Sequence, residues 1–178
     1  MKLSLTNVRL AFPTLFEART VNGEGKPAFS ASFLIDPADP QVKMLNAAIE
    51  KVAADKWGPK AEGILKTMRG TDKVALHDGD LKSNYDGFPG NLYISSRNAA
   101  RPTILDKDKT PLVEADGKPY AGCYVNALIE LWPQDNNYGK RINASLRGVQ
   151  FLRDGEAFAG GGAASDDEFS TVDEEALV

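Results

Sequence analysis

Residues 122–152, GCYVNALIELWPQDNNYGKRINASLRGVQFL, decide the fold. Two runs, Gly122 to Trp132 and Lys140 to Leu152, flank Asp135-Asn136-Asn137-Tyr138-Gly139, residues that favour a turn. In the second run Ile142, Ala144 and Leu146 alternate with Arg141, Asn143, Ser145 and Arg147. A period of two belongs to a strand with one buried and one solvated face, so the segment predicts two long neighbouring strands. Trp132 and Phe151 are assigned to the core that these strands cover.

Outward from this hairpin, Leu92 to Arg97 predicts a strand with Leu92, Ile94 and Ser96 on one face and Tyr93, Ser95 and Arg97 on the other. Lys2 to Phe16 predicts another, with an end at Pro13, and Ala28 to Ile35 a third, with Phe29, Ala31, Phe33 and Ile35 on one side. Asn22-Gly23-Glu24-Gly25 joins these last two as a hairpin. Asp39-Pro40 is a cap followed by an N1 proline, and Val42, Leu45, Ile49 and Val52 recur at helical spacing until Gly58-Pro59. A shorter helix covers Lys60 to Met68, making residues 37–69 a helical insertion. His77 to Asn91, HDGDLKSNYDGFPGN, predicts a long surface loop. A mainly β chain with five strands and a helical insertion fits an OB-like barrel, with a β-sandwich as the other arrangement.

Charge divides the chain in two. Residues 1–153 hold all 21 Lys and Arg against 17 Asp and Glu, a surplus of four positive charges. Residues 154–178 hold the other 8 acids and no base. The reading is a basic body of one domain, 1–153, and a Gly-rich acidic tail, 154–178. After Ala159 the sequence GGGAASDDEFSTVDEEALV has too few apolar residues to offset the entropy of ordering it, so disorder is expected there. The acids Asp166, Asp167, Glu168, Asp173, Glu174 and Glu175, with Phe169 among them, are candidates for a regulatory role. An overall acidic balance argues against a polyanion partner only if the charge is spread evenly; with the acids on a separate tail, the question is asked of the body alone.

One cysteine, Cys123, closes no intramolecular disulfide, and one histidine, His77, builds no Cys/His zinc cluster. A reducing cytoplasm is the expected compartment. No stretch approaches the ~20 apolar residues that cross a bilayer, so no membrane association is expected. Phosphate-binding glycine loops are missing from the sequence, and a calcium-loop register starting at Asp78 meets Ser83 where glycine is needed. A carboxylate two residues before a lysine, as a magnesium nuclease could use, occurs at Glu24/Lys26, Asp80/Lys82 and Asp116/Lys118, little above chance. No catalytic residue, metal or cofactor is assigned.

The clearer signal is the polar face of two strands. Tyr93 and Arg97 on one, and Arg141 and Arg147 on the other, combine an aromatic ring with cations on faces that carry no acid of their own. Single-strand binders need that combination, because a ring stacks on any base while Arg and Lys follow the phosphates. Arg101 and Lys140, with Tyr85, Phe88 and Tyr138, extend the surface at its rims.

Four stretches then resemble a known family: Asn7 to Phe16 (NVRLAFPTLF), Tyr85 to Asp106 (YDGFPGNLYISSRNAARPTILD), Tyr120 to Pro133 (YAGCYVNALIELWP) and Gly148 to Gly155 (GVQFLRDG). In order and spacing the chain resembles the tailed-phage single-stranded DNA-binding proteins of the Enterobacter-phage type, once a domain of unknown function. The resemblance implies an OB-like fold, sequence-tolerant binding of single-stranded DNA in phage replication or recombination within the infected host's cytoplasm, and no enzymatic activity. The expected tail competes with DNA, keeps duplex binding weak until it is removed, and docks replication proteins. The other readings are a phage structural or assembly protein and, third, a metal-dependent nuclease.

Overall fold

The computed structural model describes residues 1–21 and 23–158. Seven strands and two helices follow one another as β1 (Lys2–Val21), β2 (Glu24–Ile35), α1 (Pro40–Trp57), α2 (Ala61–Gly70), β3 (Leu76–Asp78), β4 (Leu92–Asn98), β5 (Thr103–Leu105), β6 (Tyr124–Asn136) and β7 (Gly139–Arg153). Hydrogen bonding runs in the order β4-β2-β1-β6-β7, and β7 returns to β4 through the parallel pair Arg97 and Ser145. Five strands thus close on themselves as an OB-like barrel, with β3 added outside β4 and β5 outside β7.

Alternation produces the core. Leu5, Phe33, Ile94, Ile129, Leu131 and Leu146 point inward and are fully buried, each from a strand whose intervening residues face out. Phe151 joins them, as expected. Asp39 caps α1 by accepting the Gln41 backbone N–H at 2.9 Å, Pro40 opens it, and Gly58 at φ 57° ends it. The inner faces of the helices, with Leu45, Ile49, Val52, Leu65 and Met68, close one side of the barrel core.

Two differences from the sequence reading have physical causes. β1 does not stop at Pro13; its pairing with β2 continues to Val21 across register shifts between Ala11 and Thr14 and again near Arg19. A bulge leaves Pro13 outside the ladder, where its missing N–H costs nothing. The stretch after α2 also begins to pair before the expected loop. Val74 bridges Ile142 of β7, Ala75 donates to Ile142 O at 2.9 Å, and Ser95 of β4 donates to Ala75 O at 3.0 Å. This short segment fills the seam where β4 and β7 splay apart.

A third difference concerns the end of the body. Residues 154–158 fold back: Phe158 donates its N–H to Ala121 O at 3.0 Å and buries its ring with Ala11, Leu34, Phe88, Tyr93 and Ala121. Arg9 holds the segment, donating to Glu156 O at 2.8 Å with its guanidinium 4.3 Å from the Phe158 ring centre. Gly87 makes this seat possible, since a Cβ there would sit 2.6 Å from the Phe158 ring. The disorder expected after Ala159 lies outside the described residues. No helix among the described residues is long and apolar enough to cross a membrane.

Cys123 lies fully buried in the main core, and burial pushes its thiol up from 9.0 to about 11. The folded state therefore favours the neutral thiol, a contribution complete below pH 9.0 and lost as pH rises toward about 11. The expected outcome is a melting temperature that declines across that window, with a smaller decline in Cys123→Ala, measured by circular dichroism.

Candidate nucleic-acid interface

On the outer face of the barrel runs a groove of about 800 Å³ crossing β1, β2, β4, the seam segment, β7 and β6. Its floor is laid in register. Ser30 of β2 faces Arg97 of β4, Ser32 faces Ser95, and Arg97 meets Ser145 of β7. Outward-facing Arg141, Asn143 and Ser145 continue the floor, and Trp132 and Gln134 of β6 form the far wall, with Asn143 donating to Gln134 Oε1 at 2.9 Å. Phe12 and Lys82 stand at the opposite end. No carboxylate lines the groove among the described residues.

The cations differ in how free they are. Arg97 donates to Lys26 O at 2.9 Å, a bond to a neutral carbonyl that leaves its charge uncompensated. The Arg141 guanidinium has no ion pair or hydrogen-bond partner among the described residues. Beyond the groove, Arg147 is tied to Glu130 at 2.9 Å, a cross-strand acid that the face pattern of β7 alone could not reveal. Lys140 lies 3.6 Å from Asp135. The Trp57 indole N–H, donating at 3.0 Å, and then Lys140 hold the Asp135 carboxyl below the usual range. Arg101 rests its guanidinium 5.8 Å from the Phe16 ring centre.

Several expected aromatic platforms move. Tyr93 shares the outward parity of Ser95 and Arg97, as read from sequence, yet is only 4% exposed. The loop after β3 and the 154–158 segment cover that end of the sheet, placing Phe88 and Phe158 over Tyr93 and Leu34. Phe88 is itself buried, against the expectation of a rim aromatic, and meets Tyr93 edge-on at 5.0 Å. Tyr85 remains exposed against Phe12, and Tyr138 is 88% exposed at the tip of the β6–β7 hairpin.

Trp132 makes the opposite correction. Assigned to the core, it is 42% exposed on the groove wall. The signal was in the parity of β6: Val125, Ala127, Ile129 and Leu131 are buried, so Trp132 falls on the outer face with Asn126 and Glu130. Phe12, Lys82 and the serines Ser30, Ser32, Ser95 and Ser145 also line the groove without having been singled out as binding residues.

His77 sits beneath the groove between two partners. Its Nδ1 lies 2.5 Å from Asp72 Oδ1 and its Nε2 2.8 Å from Ser95 Oγ, while its ring stacks on Tyr93 at 4.7 Å. Burial, then the Asp72 charge, raises the Tyr93 phenol above its ordinary range. Of the acid–lysine pairs considered for metal chemistry, Asp80 accepts the Gly90 N–H and Asp116 the Val113 N–H, both serving turns.

Residues 1–177 match the model of a family described as Enterobacter phage Enc34, ssDNA-binding protein. Protein p50 of Acyrthosiphon pisum secondary endosymbiont phage 1 is 48% identical over 184 residues, covering 100% of this chain and 99% of that one. The single-stranded DNA-binding protein from bacteriophage Enc34, solved in complex with ssDNA, superposes with a TM-score of 0.73 at 26% identity, covering 88% of each chain. The fold alone is shared with gp2.5, a single-stranded DNA-binding protein of bacteriophage T7, at a TM-score of 0.58 and 14% identity over 98% of this chain and 97% of that one.

The exchange of roles between the two aromatics is open to measurement. Tyr93→Ala empties a packed site and is expected to lower stability by about 3 kcal/mol. Trp132→Ala removes a half-exposed ring and is expected to cost under about 1 kcal/mol. Urea unfolding of both variants checks the assignment.

Proposed function

This chain belongs to the Enterobacter phage Enc34 ssDNA-binding protein family, and from that premise we propose that it binds single-stranded DNA in the serine-floored groove, tolerating any sequence. It is a binding protein and not an enzyme. The observation that carries the reading is the pairing of the exposed Trp132 ring with Arg97 and Arg141 in a groove without carboxylates. An indole stacks on any base, and guanidinium groups follow the phosphates without reading sequence. Lys140 and Tyr138 at the hairpin, Tyr85 beside Phe12, and Arg101 and Arg147 beyond the groove extend the path. The setting is replication or recombination of phage DNA in the cytoplasm of the infected host.

The acidic tail acts on the same groove. Phe158 shares the cluster against which Phe12 packs, and Phe12 lines the groove, so the chain leaves the body beside the groove's end. Twenty residues follow Phe158, a contour of about 70 Å. Tethering gives Asp166, Asp167, Glu168, Asp173, Glu174 and Glu175 an effective concentration that can approach the mM range, and they compete with phosphates for Arg97, Arg141 and Lys82. Stacking on Trp132 favours single strands in that competition, so duplex DNA suffers more. Once displaced, the tail, with Phe169 as an apolar anchor, is free to dock replication proteins.

Trp132→Ala is expected to weaken binding of a labelled oligonucleotide by about 1–3 kcal/mol with the melting temperature retained. Four to six cations at ~0.7 counterions per phosphate give an expected slope of about −3 to −4 for log affinity against log salt. A flat salt response contradicts the groove. Truncation after Ala159 is expected to raise affinity for single strands and, by a larger factor, for duplex, the gain shrinking as salt screens the tail. Equal affinities of the full and truncated chains at low salt would remove the competition.

A further inference from the structure

The two ends of the groove are chemically different. At the end away from Trp132, Phe12 holds a backbone φ of 47°, a left-handed conformation that a bulky residue keeps only where its surroundings impose it. The bulge between Ala11 and Thr14 carries Phe12 to the groove's end. Tyr85 meets its ring edge-on at 5.0 Å, Phe88 backs it at 5.5 Å, and Lys82 Nζ stands 5.5 Å from the ring centres of both Phe12 and Tyr93. An aromatic wall with a cation beside it is thus built into the floor's edge.

The floor beside that wall takes its hydrogen-bond polarity from the form of His77. Asp72 carries only acceptor oxygens as a carboxylate, so in the neutral imidazole the ring hydrogen of His77 belongs on Nδ1, and Nε2 is left as an acceptor. Nε2 then takes the single hydroxyl hydrogen of Ser95 at 2.8 Å. With His77 in that neutral form, what Ser95 Oγ offers to the groove is lone pairs. A phosphate oxygen gains nothing from them, whereas a nucleobase N–H does. Ala11, Ser32 and Ser95 stand in register across β1, β2 and β4, so the backbone at Ala11, next to Phe12, lies two strand spacings, or about 10 Å, from that of Ser95.

We propose that the Phe12 end of the groove is a nucleobase subsite, in which a base stacks against Phe12, gives a ring or amino N–H to Ser95 Oγ, and leaves its phosphate to Lys82. The inference rests on the single-strand reading of the groove and adds an orientation to it: at this end bases face the floor and the phosphates follow the rim.

The test uses the full chain and three oligonucleotides: oligo-dT of eight residues, the same strand with every thymine methylated at N3, which deletes the base N–H, and a short oligo-dT of two or three residues. Fluorescence anisotropy measures all three affinities for the parent, Ser95→Ala, Phe12→Ala and Trp132→Ala. N3-methylation is expected to weaken the parent about tenfold more than it weakens Ser95→Ala, and Phe12→Ala is expected to lose affinity for eight residues but not for two or three seated at Trp132. Ser95→Cys, of similar size and a poor acceptor, and Phe12→Leu, which keeps the packing, replace any variant that does not fold. An equal methylation penalty in the parent and the Ser95 variants overturns the subsite while leaving the groove intact. If Trp132→Ala and Phe12→Ala both bind every oligonucleotide as the parent does, the groove assignment itself falls, and the subsite with it.

Discussion

The barrel closes on one pair of residues. β4 and β7 run parallel, touch at Arg97 and Ser145, and then diverge, so the wall would be open below that point without the segment that follows α2. Lys73 and Ala75, on either side of Val74, take up the backbone bonds that Ile142 and Ser95 would otherwise leave unmet in the seam. Everything on the outer face depends on this closure. It brings Ser95 and Arg97 alongside Arg141, Asn143 and Ser145, converting two distant strands into one floor, and it explains the helical insertion structurally, since α1 and α2 deliver the chain to the seam.

Much of this architecture was legible because period-two alternation depends only on which side of a sheet faces water. The faces of β4 and β7 were read correctly residue by residue, and the helix from Asp39 to Gly58 followed from its cap, its proline and its apolar spacing. What alternation does not reveal is what lies over a face that points outward. Tyr93 is turned away from the barrel interior as its parity requires and is buried all the same, because residues distant in sequence, Phe88 and Phe158, settle on it. Trp132 was misplaced for a different reason. Its size and apolar character outweighed a parity that already set it beside Glu130. β3 and β5, three residues each, are too short to carry a periodic signal.

Cross-strand electrostatics were equally hidden. Arg147 and Arg141 look equivalent along β7, but the bulge opposite Leu128 and Ile129 and the neighbouring Glu130 give Arg147 a partner that Arg141 lacks. A count of cations by strand therefore overstates the charge available to a ligand, and the unneutralised set is concentrated where β4 and β7 meet. Lys82, arriving from a loop rich in turn residues, adds to that set from a segment whose composition suggested only exposure.

The seating of Phe158 has a mechanical consequence. The last described residues are attached to the body by one aromatic ring, one backbone hydrogen bond, the Arg9 contacts and the bonds of the Tyr120 hydroxyl to Asp154 and Gly155, whereas β7 before them is laced to β6 along nearly its whole length. Tension applied to the C-terminal end is borne first by this short latch and only afterwards by the β6–β7 ladder. A load too small to unzip the barrel can still lift Phe158 from Gly87 and Leu34, baring the aromatic cluster beneath as a sticky patch while the groove floor keeps its shape.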